Sequence, residues 1–274
     1  MKANKVLFIT PEITPFVPES TIANNCRNLL QNIYDLWKST SQDNGKELRV
    51  FMPKWGTINI RRYQLHEVQR LSGMNLIIDD TDHPLIIRVA SLQSARIQVY
   101  FIENDDYFPN RLAAGDPSAE SDNDERTIFF NRGVLETVKK SNWRPDVIHC
   151  HGWMSALVPL YVKSAYKDEP SFRDSKIVIS LYGESFNTPF PENFLEKVLH
   201  KDMTMELLDG IASPTTYQDL AKLAIKYCDG VVIEDENVAA ELIEYAKSIG
   251  KPVLPKCTAE EQATACKDFY ESLF

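Results

Sequence analysis

The 274-residue sequence contains no long apolar segment and no closely paired cysteines. No apolar run approaches the roughly 20 residues that a membrane-spanning helix requires. The apolar residues 6–9 are too few for the core of a signal peptide, and Pro11 and Glu12 interrupt the segment shortly after them. The five cysteines are scattered without a C-x-x-C pair, which argues against a disulfide framework and against a zinc site. We therefore expect a cytoplasmic protein with no membrane contact, no bound metal and no cofactor.

Positive charge is also scarce. The 30 lysines and arginines are outnumbered by 39 aspartates and glutamates, which gives a net charge of −9. This balance argues against nucleic acid and against an anionic membrane surface as partners, because both bind proteins through basic residues. A neutral sugar polymer is not excluded. The hydrophobic fraction of 43% is ordinary, and no internal repeat or linker is visible, so we expect residues 1–274 to form a single domain.

Strand and helix patterns alternate at both ends of the sequence. An apolar strand at 5–9 precedes a helix that starts at Ser20 or Thr21 and reaches Lys38, and a second strand follows at 48–52. Such a βαβ unit predicts an α/β fold with a Rossmann-like parallel sheet and helices on both faces. Further strands are predicted at 147–150, 177–181, 230–233 and 252–254, and further helices at 155–166, 190–202, 215–228, 236–249 and 259–273.

The middle of the sequence has a different pattern, with short apolar segments and tight connections. Strands are predicted there at 64–71, 74–78, 85–89 and 97–102. Their spacing indicates a β-meander inserted into the parallel sheet. Residues 110–124 are polar and predict a mobile loop. Asp122 and Glu125 have the spacing of a capping box, which predicts a helix that extends to Lys140.

Residues 146–154 read D-V-I-H-C-H-G-W-M and place polar side chains at the end of a buried strand. In an open α/β sheet, ligands bind at the carboxyl ends of the strands. His151 is therefore a candidate to contact a substrate, although a histidine hydrogen-bonded to nearby backbone groups would show the same pattern. His149 should point into the sheet and be structural. Trp153 either stacks on a sugar or packs under the following helix, and we expect the second arrangement.

Three glutamates also follow predicted strands. Glu12 either accepts a hydrogen bond from a sugar hydroxyl or is solvated, as loop carboxylates commonly are. Glu184 and Glu234 are candidates for the paired carboxylates of a retaining hydrolase, provided that they converge to about 5 Å. Five further aromatic and basic residues either form a glucan-binding surface or lie scattered over the surface, and we expect the second arrangement. These residues are Trp37, Trp55, Arg61, Arg62 and Tyr63.

Residues 145–153 resemble the H-x-H-D-W motif of bacterial glycogen synthases and plant starch synthases. Residues 6–16, 50–56 and 105–108 resemble other segments of that family in the same order. The resemblance covers residues 4–235 and implies the N-terminal domain of a retaining glucosyltransferase of the GT-B architecture. It also implies a glucan and a sugar nucleotide, ADP-glucose or UDP-glucose, as ligands. The substrate-binding candidates that it implies are Glu12, His151, Trp153 and Tyr182.

The loop before the first predicted helix departs from this family. The family's K-x-G-G-L segment corresponds to Pro18, Glu19, Ser20 and Thr21. Glycines allow a close backbone approach to phosphates at a helix N-terminus, and the lysine supplies positive charge. Pro18 has neither an ammonium group nor a backbone N–H, and Glu19 adds a negative charge. The sequence therefore predicts that this degenerate donor loop binds the phosphates of a sugar nucleotide weakly.

Two further departures concern the motif and the length. The aspartate of the motif is replaced by Gly152, and Tyr182 stands at or near the place of a family histidine. The sequence ends at Phe274, where the resemblance leads us to expect that the second, nucleotide-binding domain of the family is missing. In this architecture the last helix crosses back onto the first domain. We expect the helix at 259–273 to pack in that way.

Three functions remain open at this point. The first is a glycogen or starch synthase-like domain that is inactive alone and needs a partner chain with a nucleotide-binding domain. The second is a non-catalytic glucan-binding or regulatory module. The third is an unrelated small-molecule binder or hydrolase on the same scaffold. For a transferase, His151 is the candidate for a catalytic residue, and the hydrolase alternative would use Glu184 and Glu234.

Overall fold

A computed structural model of the chain describes residues 3–39, 45–92, 95, 97–109 and 122–274. The strands are β1 (Lys5–Ile9), β2 (Glu47–Pro53), β3 (His66–Glu67), β4 (Met74–Ile78), β5 (Thr81–Leu92), β6 (Ile97–Glu103), β7 (Val147–His151), β8 (Lys176–Leu181), β9 (Gly230–Ile233) and β10 (Val253–Leu254). The helices are α1 (Thr21–Ser39), α2 (Asn123–Lys140), α3 (Val158–Lys163), α4 (Phe194–Val198), α5 (Tyr217–Tyr227), α6 (Ala240–Ser248) and α7 (Gln262–Ser272). Among these described helices, none has the length and apolar character needed to cross a membrane.

One sheet connects the strands in the order β10-β9-β8-β7-β1-β2-β6-β5-β3, with β4 paired to β5. From β10 to β6, every neighbouring pair is parallel. β5 pairs antiparallel with β3, β4 and β6, and these strands form the meander. β7 and β9 are buried along their whole length, as strands covered on both faces must be. The predicted Rossmann-like α/β sheet with a meander insertion is confirmed.

The strand predicted at 64–71 is much shorter in the structure. Of the predicted strand, only the two residues of β3 pair with β5, and the chain turns shortly afterwards. The N–H groups of Leu71 and Ser72 both donate to the Val68 carbonyl, at 2.9 and 3.0 Å. Both residues of β3 are exposed at the sheet edge, so little packing is available there to extend the strand.

Two predicted helices also differ from the structure. The helix expected at 190–202 is reduced to α4, because Phe190 forms an antiparallel bridge with Thr215. The two backbone hydrogen bonds of this bridge measure 2.8 and 3.2 Å and hold Phe190 in an extended conformation. The helix expected at 155–166 begins as a 3-10 turn, Trp153–Ser155, and continues as α3. Pro159 lies in the first turn of α3, where its missing N–H costs no hydrogen bond.

The capping box predicted at the start of α2 is not formed, although the helix extends to Lys140 as predicted. The Asp122 carboxylate makes no cap hydrogen bond and accepts one from Arg126 instead. The Glu125 carboxylate accepts hydrogen bonds from the Tyr107 hydroxyl at 3.0 Å and from Lys197 at 2.7 Å. Both side chains thus have tertiary partners that compete with the cap. Residues 110–121 of the predicted mobile loop lie outside the described residues.

The aromatic residues considered for a surface patch do not lie together. Trp37 and Trp55 are buried, and Trp55 Nε1 donates to a backbone carbonyl of the loop after β1 at 2.7 Å. The expectation that these two tryptophans lie on the surface was therefore wrong. Arg61 and Arg62 are exposed, and Tyr63 is half-buried.

Helix α7 packs against α1 and reaches the sheet. The Tyr270 hydroxyl lies 2.7 Å from Nδ1 of His149 on β7. Phe269 lies over Gly230, where an added Cβ atom would come within 2.7 Å of its ring. The missing side chain at Gly230 therefore allows α7 to approach β9 closely.

Candidate functional site

The carboxyl ends of β1, β7, β8 and β9 meet at one edge of the sheet, because these strands are parallel neighbours. Glu12 follows β1, and His151 ends β7. Tyr182 and Glu184 follow β8, and Glu234 follows β9. This edge, which we call the crevice, is where open α/β sheets bind ligands.

His151 is completely buried in the crevice. Its Nδ1 lies 2.9 Å from the Tyr182 hydroxyl, and its ring stacks on Phe8 with centroids 5.5 Å apart. Its Nε2 has no hydrogen-bond partner within the described part of the chain. Burial lowers the pKa of this imidazole to about 3, so the ring is neutral at physiological pH. A neutral imidazole with one unpaired nitrogen at a strand end is suited to hydrogen-bond a ligand hydroxyl.

His149 lies deeper and links the sheet to α7. Its two nitrogens lie 2.7 Å from the Tyr270 hydroxyl and 2.7 Å from the Ser180 hydroxyl. Ser180 donates in turn to the Glu234 carboxylate at 2.7 Å, and Gln262 donates to the other oxygen of Glu234 at 2.7 Å. The chain of hydrogen bonds therefore begins and ends on α7, at Tyr270 and Gln262. Because all its polar atoms are paired, His149 is structural, as its position in the strand predicted.

This network also bears on metal binding and on hydrolase chemistry. Donor atoms of His149, His151 and Glu234 lie within 4.8 Å of one another, a set that could hold a metal ion. Hydrogen bonds already occupy both nitrogens of His149 and both oxygens of Glu234. Metal binding would break these hydrogen bonds. His149 and Glu234 are therefore suited to hydrogen bonding within the protein rather than to metal coordination. The same bonds make Glu234 a poor nucleophile, which disfavours the paired-carboxylate hydrolase.

Glu12 is buried rather than solvated. The Ser20 hydroxyl donates to its carboxylate at 2.5 Å and accepts from the Ala23 N–H at 3.1 Å. Ser20 thus caps α1, and Glu12 holds the capping hydroxyl in place. A carboxylate therefore lies beside the amino end of α1, where a phosphate would otherwise be favoured. The sequence identified Glu12 and Ser20 separately and did not indicate that they are partners.

Gly152 and Glu184 form a second local arrangement that the sequence did not indicate. Gly152 has φ +72° and ψ 169°, a conformation that only glycine adopts readily. An added Cβ atom at this position would lie 3.1 Å from one oxygen of Glu184 and 3.2 Å from Ile22. The same Glu184 oxygen accepts the Trp153 N–H at 2.6 Å. The carboxyl group of Glu184, which follows β8, therefore fills the space next to Gly152 and accepts a hydrogen bond from the first N–H of the 3-10 turn.

Trp153 is buried, as expected from the core alternative. Its ring contacts Phe186 and Phe190, with centroids 5.3 and 6.1 Å apart. Phe186 stacks face to face on Phe190 at 4.6 Å and is only half-buried. The aromatic side chain at the rim of this cluster is thus Phe186 rather than Trp153. Sequence analysis missed Phe186, which belongs to an irregular segment without a periodic pattern.

The carboxyl group of Glu184 should make stability depend on pH. Burial raises its pKa to about 8, with Glu12 and Asp235 adding to the rise and the Trp153 N–H opposing it. An unfolded glutamate titrates near pH 4.5, so the folded state retains a proton that the unfolded state has already lost above that pH. The contribution is therefore most favourable below pH 4.5, falls by roughly 1 kcal/mol per pH unit up to about pH 8, and changes no further above it.

Urea unfolding of the wild type and Glu184→Gln between pH 5.5 and 8.5 measures this effect. The variant should gain stability relative to the wild type as pH rises, because glutamine does not titrate. Glu192→Gln, a change at an exposed glutamate, is the matched control and should follow the wild type. A Glu184→Gln curve parallel to that of the wild type at every pH would contradict the assigned shift.

The family model of the starch synthase catalytic domain matches residues 5–251. The chain belongs to this family. A glycogen synthase of Chlorobium luteolum is 36% identical over 203 residues, which cover 73% of this chain and 40% of that protein. A glycogen synthase of Chlorobaculum parvum is 31% identical over 272 residues, which cover 98% of this chain and 52% of that protein. The chain therefore spans about half the length of these relatives, or less.

The fold agrees with membership in the starch synthase catalytic-domain family. The catalytic domain of starch synthase IV from Arabidopsis thaliana, bound to ADP and acarbose, matches with a TM-score of 0.68 at 16% sequence identity. The match covers 93% of this chain and 51% of that chain. It shows the same Rossmann-like GT-B fold. The chain is thus a glycogen or starch synthase-like glycosyltransferase domain, and the family resemblance seen in the sequence is confirmed.

Gly152 stands where the family motif has a different residue. The family motif H-x-H-D-W places an aspartate at this position, and the structure places the Glu184 carboxylate within 3.3 Å of where its Cβ atom would stand. A carboxyl group is therefore present beside the turn, but the segment after β8 supplies it instead of the segment after β7. The sequence alone showed only that the aspartate is missing.

Proposed function

We propose that this chain forms the acceptor-side half of a glucosyltransferase of glucan synthesis, and that these residues alone bind sugar nucleotide weakly and transfer little glucose. In this proposal a glucan enters the crevice and hydrogen-bonds to His151. Binding of the donor is completed by a second domain, from another chain or another segment. The observation that carries the proposal is the occupation of the α1 amino end by Ser20 and Glu12.

Acceptor binding is supported by the chemistry of His151 and its neighbours. The Nε2 atom is neutral and has no hydrogen-bond partner among the described residues, so a sugar hydroxyl would gain a hydrogen bond there without breaking an existing one. Because His151 is fully buried, this binding requires the side chains that cover the imidazole to move aside. Tyr182 holds the imidazole by its other nitrogen. The half-buried Phe186 adds an aromatic surface beside Glu184. A ligand of this kind also agrees with the solved catalytic domain of starch synthase IV, which is bound to ADP and acarbose.

Weak donor binding is supported by the charge at the α1 amino end. The Ser20 hydroxyl accepts a hydrogen bond from the Ala23 N–H, so this N–H already has a partner within the protein. The Glu12 carboxylate lies beside the same helix end, and Glu19 precedes it in an exposed loop. At about 5 Å and an effective dielectric constant of about 20, two unit charges repel by roughly 3 kcal/mol. A diphosphate at this place would meet repulsion where the family loop supplies a lysine and glycines.

A first experiment is calorimetric titration of the chain with maltoheptaose and then with ADP-glucose. We expect maltoheptaose to bind and ADP-glucose to give no measurable heat. His151→Ala should weaken maltoheptaose binding about tenfold, which corresponds to the loss of one hydrogen bond. His200→Ala is the matched control, because His200 lies between Tyr161 and Tyr166, away from the crevice.

The same protein, incubated with ADP-glucose, UDP-glucose and a glucan primer, tests transfer. Clear incorporation of glucose by the chain alone would contradict the proposal. Unchanged oligosaccharide binding in a folded His151→Ala variant would remove the role of this residue. A further outcome is that the chain binds a glucan and shows no turnover even when a nucleotide-binding domain is added. That result would favour a non-catalytic glucan-binding module, with which the hydrogen bond between Ser20 and Glu12 also agrees.

A further inference from the structure

A cleft separate from the crevice lies beside α2, between β4 and the segment that follows α4. Its volume is about 620 Å³, within the range of small-molecule sites. Arg132 and Glu136 of α2 line it, together with Leu199 and His200. We call it the α2–β4 cleft. None of the residues assigned to the crevice lines it, so a ligand here is independent of the proposed function.

Arg132 is buried in the wall of this cleft without an acidic partner. Only 6% of it is exposed. Its Nη1 donates to the Ile77 carbonyl of β4 at 2.6 Å, and its Nε has no hydrogen-bond partner within the described residues. The acidic side chain of the lining, Glu136, has a different partner, because its carboxylate accepts the Tyr166 hydroxyl at 2.6 Å. An uncompensated buried charge is unfavourable, and an anion from outside the chain would compensate it.

The unpaired groups in the cleft are suited to a carboxylate. Because Nη1 of Arg132 is already hydrogen-bonded, the guanidinium edge that remains is formed by Nε and Nη2. The N–H bonds of this edge are parallel and match the two oxygens of a carboxylate. The Nε2 atom of His200 also lacks a partner in the described part of the chain. Burial lowers the pKa of His200 to about 3, with Arg132 and Lys201 adding to the effect, so this imidazole is neutral and has one N–H to donate.

The charge of the lining selects a monoanion. Arg132 and Lys201 are positive, Glu136 is negative and His200 is neutral, which leaves one positive charge in excess. A single carboxylate balances this excess. A dianion such as a phosphate monoester would bring a second negative charge close to Glu136 and be repelled by it.

The rest of the lining is largely apolar. It includes Met74, Leu76 and Ile77 of β4 and Leu199. Ile77 is 58% exposed, the largest fraction for any large apolar side chain among the described residues. An aliphatic chain that covers Ile77 and Leu199 would remove apolar surface from water while its carboxylate pairs with Arg132.

We propose that the α2–β4 cleft binds an aliphatic carboxylic acid of medium chain length. The carboxylate pairs with Arg132 and His200, and the aliphatic chain lies against Ile77 and Leu199. Nε of Arg132 and Nε2 of His200 are shielded from solvent, so binding requires neighbouring side chains to move aside. Leu199 is half-buried and Lys201 is exposed, and both can shift without opening the core.

Calorimetric titration with octanoate, acetate and octan-1-ol tests the assignment. Octanoate should bind at least tenfold more tightly than either of the other two, because only it uses both the arginine and the apolar surface. Arg132→Met should weaken octanoate binding at least tenfold and should fold, because it replaces an unpaired buried charge by an unbranched apolar side chain. Ile77→Asp, a change at an exposed position, should also weaken binding at least tenfold through lost apolar contact and charge repulsion.

Arg144→Met and Ile249→Asp are the matched controls, because both residues are exposed and neither lines the cleft. They should bind octanoate like the wild type, and so should His151→Ala. Retention of octanoate binding in folded Arg132→Met would overturn the site. Acetate or octan-1-ol binding as tightly as octanoate would overturn the proposed ligand, and so would octyl phosphate binding more tightly than octanoate. Loss of binding in His151→Ala would assign the ligand to the crevice and overturn the proposal equally.

Discussion

Replacement of Gly152 by aspartate, which restores the family motif, should destabilise this protein by about 3–4 kcal/mol. The backbone at this position has φ +72° and ψ 169°, and a residue with a side chain pays about 1–3 kcal/mol to adopt such a conformation. The new Cβ atom would also stand 3.1 Å from the Glu184 carboxylate. The added carboxylate would then lie beside an existing acidic group in a partly buried place. Urea unfolding at pH 7 measures the loss.

Two further variants separate the causes of this loss. Gly152→Ala carries the backbone strain and the Cβ contact without a new charge, so it should lose less stability than Gly152→Asp. Glu184→Ala combined with Gly152→Asp should recover part of the loss, because the competing carboxylate and its contact are gone. A Gly152→Asp protein as stable as the wild type would show that Gly152 and Glu184 are not a matched pair.

Loss of the Tyr270 side chain should have a similarly large effect. Tyr270 is buried, and its hydroxyl is the partner of His149 at 2.7 Å. Tyr270→Ala should lower the free energy of unfolding by about 3–5 kcal/mol, the range for large buried side chains. Tyr270→Phe keeps the ring and removes only the hydroxyl, so it should cost about 1–2 kcal/mol through the unpaired nitrogen of His149. Urea unfolding, together with limited proteolysis of α7, measures both effects.

Tyr245→Phe on α6 is the matched control, since this tyrosine is only half-buried. It should leave stability within about 0.5 kcal/mol of the wild type. If Tyr270→Phe behaved like Tyr245→Phe, the hydrogen bond to His149 would contribute nothing to the docking of α7. If Tyr270→Ala were fully stable and α7 remained protected from protease, the helix would be held by other contacts alone.

The strands and the longer helices could be predicted because their signals are local. Val147 and Ile148 belong to an apolar run that suits a buried parallel strand, and the structure has β7 there. Cys26 and Leu29 of α1 are three residues apart and both face the core, as the periodicity of an amphipathic helix requires. The errors occurred where a distant partner intervened. Phe190 is extended because it pairs with Thr215, which lies 25 residues further along the chain.

In the candidate site, too, local signals could be predicted and contacts between distant residues could not. Positions at strand ends identified Glu12, His151 and Glu184, since parallel strands bring their carboxyl ends to one edge. The family resemblance added Tyr182. The partners of these residues could not be predicted. A hydrogen bond such as that from Ser20 to Glu12, at 2.5 Å, depends on the relative placement of β1 and α1 to within an ångström. Sequence spacing does not determine placement at that scale.

The sequence by itself determined the fold class, the family and the chemical departure of the donor loop, because each depends on residue type and order along the chain. Only the tertiary structure decided that Glu184 fills the space beside Gly152, that Glu12 and Ser20 occupy the α1 amino end, and that Arg132 and His200 line one cleft. These arrangements join residues from different strands, loops and helices. Their geometry is set by the packing of the whole sheet and its helices, and no local pattern encodes it.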